Sequence, residues 1–184
     1  VALFAVNLSG AKGMPLVVAH GAVAARSLAA THATALAVVA AYTLGAAVDR
    51  QTMVALHLAL AGYGFMGMLA LGLLYVLVPM FALAESPPAH RAWASFALAS
   101  GALALSVPAA LGVLPGVLGV AAAGFGAVAA ILHVQLMRET TMRGLRRELG
   151  IGFRLARIAW GALVASLVLA LALVGLILWS TRRT

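Results

Sequence analysis

Long apolar stretches, separated by short polar or proline-bearing intervals, set the pattern of this chain. A membrane-crossing helix needs about 20 mainly apolar residues. Five stretches meet that length: A, about 27–48; B, about 53–80; C, about 92–112; D, about 114–137; and E, about 157–179. They are continuously apolar and rich in Ala and Leu. Membrane β-strands would alternate in polarity over about 10 residues, so the pattern predicts helices. Asp49-Arg50-Gln51 divides A from B, and Glu85-Ser86-Pro87-Pro88 divides B from C. Neighbouring prolines cannot continue a helix. Gly112-Val113-Leu114-Pro115-Gly116 reads as a tight turn between C and D. Pro108 is expected to kink or fray the end of C.

Two regions stand outside this pattern. Met14 to Ala25 is an apolar run too short to span, ending at Arg26. Residues 1–26 are therefore read as an interfacial or partial N-terminal segment, and 27–184 as one transmembrane domain. The alternative is that span A begins early, with Arg26 snorkelling. The stretch 138–157 carries Arg138, Arg143, Arg146, Arg147, Arg154 and Arg157 and reads as an amphipathic interfacial segment.

Composition narrows the class. Of 184 residues, 65% are hydrophobic and 9% charged, with no Cys; mean hydropathy is +1.12. A soluble domain is about 45–50% apolar and about 25% charged, so a soluble fold is excluded. Without Cys, thiolate metal sites, Cys nucleophiles and disulfides are excluded too. The expected class is an all-α integral membrane protein in the lipid bilayer. Twelve Lys and Arg face four acids. Basic residues gather in cytoplasmic loops, and none here forms a run interleaved with aromatics, so nucleic acid is not an expected partner. With the N-terminus inside, five spans place Lys12, Arg26, Arg91 and the six arginines of 138–157 inside. Arg50, Arg182 and Arg183 fall outside. That nine-to-three bias sets the N-terminus inside and the C-terminus outside.

Ionisable groups within spans are functional candidates. His90 lies in a loop. His20 lies in the head segment, His32 near the inner start of A, His133 near the inner end of D, and His57 near the outer start of B. A hydrogen bond to a neighbouring helix accounts for His20, His32 and His133. Asp49, Glu85, Glu139 and Glu148 fall at ends or in loops, which leaves no carboxylate relay. No GxxxxGK[ST] loop is present, and the glycines of Gly62-Tyr63-Gly64-Phe65-Met66-Gly67 sit inside a span rather than after a strand. Polar midplane groups and inverted repeats, the marks of a transporter, are not evident.

His57 differs because of the residues after it. His57, Ala61, Gly64, Met68, Gly72, Tyr75 and Pro79 fall near one stripe at helical spacing. Small residues let something approach the backbone closely. That visitor is either another helix or a porphyrin plane with the His nitrogen on iron.

Residues 57–79, ending Gly72-Leu73-Leu74-Tyr75-Val76-Leu77-Val78-Pro79, resemble the second transmembrane helix of subunit I of the haem-copper oxidase superfamily, in its nitric oxide reductase and cbb3-oxidase branch. The resemblance covers that helix only. It implies that His57 is an axial ligand of haem b, that Gly64 and Gly72 admit the macrocycle, and that Arg50, seven residues earlier, pairs with a propionate. It further implies a respiratory-type electron-transfer subunit or fragment in a bacterial-type inner membrane. The family's other ligands, including a His-x-His pair, have no counterpart here, so any catalytic site would need other chains. The alternative is a non-catalytic structural subunit. Its small-residue faces (Gly62, Gly64, Gly67 and Gly72 on B; Gly119, Gly124 and Gly126 on D) would pack against partner subunits, further copies or pigments.

Overall fold

A computed structural model describes residues 6–7, 13–145 and 150–181. Lys12, Arg146, Arg147, Glu148, Arg182 and Arg183 lie outside the described residues. Every described element is helical. Helix α1 runs Pro15–Thr43, α2 Arg50–Ala82, α3 Ala89–Ala110, α4 Pro115–Arg143 and α5 Gly150–Thr181. Helices α1 to α4 are each long and apolar enough to cross a membrane.

Proline sets several of the boundaries. Pro15 and Pro115 open α1 and α4, where a missing N–H is harmless. Pro88 precedes α3 in an extended conformation. Pro108 ends α3 within two residues, and Gly112 follows at φ +82 in the turn to α4. Asp49 caps α2, accepting from the amides of Gln51 and Thr52 at 3.2 and 3.3 Å.

The head of the chain differs from expectation. Residues 15–26 are continuous with span A in a single helix of 29 residues. Nothing between Leu16 and Thr43 breaks a helix, and Arg26 accommodates the continuation by pointing away from the bundle, where it is exposed. His20, Ala24 and Ala25 are buried in the core, so this stretch packs with the rest of the bundle. His32, expected near the start of a span, lies past the middle of α1 and is exposed. The basic stretch also divides: 138–143 complete α4, and 150–157 begin α5.

Three apolar clusters run along the bundle. Leu56, Leu60 and Leu103 lie toward the start of α2. Ala24, Met68, Leu71, Ala99 and Ala129 fill the middle. Tyr75, Val78, Ala92, Leu136, Met137 and Trp160 fill the other end. Trp160 is the anchor that holds α5 against α2 and α4.

Within α2, residues Ala59–Gly67 form a π-helical segment. A π turn holds more residues than an α turn. The segment therefore keeps Leu56, Leu60, Gly64 and Met68, four apart, on one buried line. From Gly64 onward the predicted stripe is the buried one. Upstream the line passes to Leu56 and Leu60, and His57 and Ala61 are half-buried beside it.

Candidate functional site

Helix α1 lies along the glycine stripe of α2. A Cβ at Gly64 would stand 2.5 Å from the Ser27 hydroxyl oxygen and 2.8 Å from its Cβ. A Cβ at Gly72 would stand 2.6 Å from the His20 Cβ. Both glycines are thus required by close helix approach, and their open space is filled by side chains of α1. A porphyrin plane does not fit on this face while α1 is seated there. Other glycines point elsewhere: nothing lies within 4 Å of a Cβ built at Gly62, Gly119 or Gly124.

The His57 ring sits across from α1, one turn from Ser27's end of that seam. Its Nδ1 lies 3.2 Å from the Thr31 carbonyl oxygen and 3.2 Å from the Thr34 hydroxyl. Thr34 itself donates to the Thr31 carbonyl at 2.9 Å. An Nδ1–H donating to that carbonyl leaves Nε2 with its lone pair, the arrangement that orients a ligating imidazole. The same geometry is a plain interhelical hydrogen bond. Arg50 turns away: its guanidinium carbon lies 4.6 Å from the centre of the Tyr42 ring, in a cation–π contact. Among the described residues, no group of three His, Cys, Asp or Glu side chains is placed to hold a metal.

A second polar cluster occupies the opposite end of the bundle. His20 from α1, Tyr75 from α2 and His133 from α4 meet in the interior. The Tyr75 ring lies 5.6 Å from His20 and 5.0 Å from His133, edge-on to the latter. Phe96 of α3 closes on His20 at 4.8 Å. The His20 Nδ1 is satisfied locally by the Leu16 carbonyl at 2.9 Å. His133 is 0% exposed, and neither of its ring nitrogens has a hydrogen-bond partner among the described residues. Orphaned polar atoms at this depth are uncommon. The sequence assigns His20, His32 and His133 each a hydrogen bond to a neighbouring helix. Instead His20 and His32 bond carbonyls one turn back on α1 itself, and His133 has no hydrogen-bond partner among the described residues. The meeting of His20 and His133 around Tyr75 depends on three helices packing, which no local pattern encodes.

Arg91 and Glu139 tie the entrance of this end. The guanidinium donates to both carboxylate oxygens, at 2.7 and 3.1 Å. This two-pronged geometry fixes α3 against α4. Arg91 is four residues before Ser95, whose hydroxyl donates to the Ala129 carbonyl at 3.3 Å.

Compared with protein family models, curated proteins and solved structures, the chain matches none.

Proposed function

We propose that this chain is a multi-pass membrane subunit that packs within a larger membrane complex and does not carry a complete catalytic site of its own. The supporting observation is the use of the glycine stripe. Gly64 and Gly72 receive Ser27 and His20, so the face open to either a helix or a macrocycle is taken by a helix. Gly62, Gly119 and Gly124 face open space and offer the same kind of close approach to partner helices. With α5 as a fifth span, and with Arg26 inside α1 and so not a loop residue, the remaining eight-to-three basic bias orients the N-terminus and the 138–157 arginines to the inside of a bacterial-type inner membrane. There the arginines would meet anionic headgroups.

The test is the size and composition of the complex in a mild detergent. The chain is expected well above its own 18.7 kDa, with partners in fixed ratio. Gly62→Leu or Gly119→Leu is expected to release it with its helicity intact, and His57→Ala to leave the assembly whole. A folded chain that runs alone at its own mass would overturn the reading.

A second reading rests on His57. Its Nδ1 is held by the Thr31 carbonyl, which frees Nε2 for the iron of a haem b. That haem would have to lie off the Gly64–Gly72 face and take its second axial ligand from a partner. The haem would supply one-electron transfer. Within this chain, Thr31 and Thr34 would orient the imidazole. Loss of a Soret band in His57→Ala would support it.

A further inference from the structure

Within the bundle, Arg26 is badly placed for a protein that sits alone in lipid. It is the twelfth residue of α1, about 17 Å from the helix start at about 1.5 Å per residue. Its depth is fixed by its neighbours. Ser27 packs on Gly64, and the Leu103 side chain reaches within 3.2 Å of the same glycine's Cβ position. One residue earlier, the Tyr63 hydroxyl donates to the Ala99 carbonyl at 3.2 Å. Ala99 and Leu103 stand at and just past the middle of α3, whose 22 residues match the hydrocarbon thickness. Arg26 therefore sits near mid-depth, too far from either helix end for the snorkelling that end-placed arginines use.

The side chain points out of the bundle. Arg26 is exposed and makes no ion pair or side-chain hydrogen bond with any described residue. The surface around it is built for a helix. Ala29 and Ala33, one and two turns on, are exposed beside it, and small residues at that spacing let a second backbone come close. Leu36, 70% exposed, and Val39 continue the face toward the far end of α1.

We propose that this face of α1 binds a transmembrane helix of another chain, and that this helix carries an Asp or Glu carboxylate at mid-depth paired with Arg26. A second copy of this chain does not meet the requirement. Glu139 is paired with Arg91, Asp49 precedes α2, Glu85 lies between α2 and α3, and Glu148 lies outside the described residues. None of the described carboxylates stands at mid-depth. The proposal rests on the complex-subunit reading and names one partner within it.

The test is photocrosslinking in native membranes, with p-benzoylphenylalanine in place of Ala33 and the crosslinked peptide sequenced by mass spectrometry. The expected product is a hydrophobic peptide of another protein with an Asp or Glu about two turns from the crosslinked residue. Arg26→Gln is expected to lower its yield roughly tenfold, and Arg26→Lys to keep most of it, because the pairing needs the charge. Three results would overturn the proposal: crosslinks to lipid or to a second copy only, a partner peptide without a carboxylate, or a yield unchanged in Arg26→Gln. If the chain still migrates in a large complex under any of these, the subunit reading survives and only the Arg26 pairing is lost.

Discussion

Gly72 and Gly64 carry the seam between α1 and α2, and each can be challenged by a single methyl group. In Gly72→Ala the new Cβ would meet the His20 Cβ at 2.6 Å, and in Gly64→Ala the new Cβ would meet Ser27 at 2.5 Å. Neither neighbour is the far end of a flexible chain, so the helices must part. Overpacking of this kind costs about 1–3 kcal/mol. Gly119→Ala, with nothing within 4 Å, is expected to leave the stability of the isolated chain unchanged or to raise it by up to about 1 kcal/mol, since alanine is the better helix former. Denaturant titration in detergent, read by tryptophan fluorescence, compares the three; equal effects would refute the seam. His133 poses the opposite question. Both its nitrogens are orphaned at 0% exposure, and replacing a buried unpaired polar group by an apolar one of similar size is neutral or stabilising. His133→Leu is expected to match or exceed the parent by up to about 1 kcal/mol. A clear loss would mean that the bundle interior supplies those nitrogens with a partner.

At the scale of elements, α2 carries most of the information. Its start depends on Asp49, which accepts from two backbone amides and from the Thr52 hydroxyl. That hydroxyl is the main cause holding the Asp49 carboxyl below its ordinary range, with the amides of Gln51 and Thr52 adding to it. A depressed pKa means that the cap is fully formed above the usual carboxylate range and is lost as pH falls through the lowered value. Hydrogen exchange at Gln51 and Thr52, corrected for intrinsic pH dependence, is expected to accelerate several-fold on acidification, and Asp49→Ala to remove the pH dependence. The break at Asp49-Arg50-Gln51 and the stripe from Gly64 to Pro79 are legible in the sequence, since polarity and 3.6-residue spacing encode both. The π segment is not. Ala59–Gly67 is uniformly apolar, and its wider turns reflect how α2 meets α1 and α3 rather than any residue signature. That is why the stripe shifts to Leu56 and Leu60 above it and leaves His57 at its edge. The length of α1 is hidden for a related reason: Arg26 looks like the end of an apolar run, yet the helix continues through it with that side chain exposed on its outer face.

For the whole molecule, the helical bundle follows from hydropathy, but the contents of its interior do not. The sequence places His57 and the glycines on one helix and is silent about which helix lies against them. Packing supplies that answer, and it sets the two functional readings apart by one measurement. If the chain is a packing subunit, protein purified from haem-replete cells is expected to bind no stoichiometric haem through His57. Its absorption spectrum would then be the same in parent and His57→Ala. The contact of Nδ1 with Thr31 and Thr34 would in that case be structural, and removing it is expected to cost about 1 kcal/mol and to loosen α1 from the start of α2. If the imidazole instead meets iron, the parent must show a Soret band that His57→Ala abolishes. Thr34→Val, which deprives the ring of its hydroxyl neighbour but leaves the Thr31 carbonyl, would then shift the haem potential without abolishing the band. The spectrum of the intact complex, taken beside that of the dissociated chain, completes the comparison. A band present only in the complex would point to a second axial ligand supplied by a partner helix.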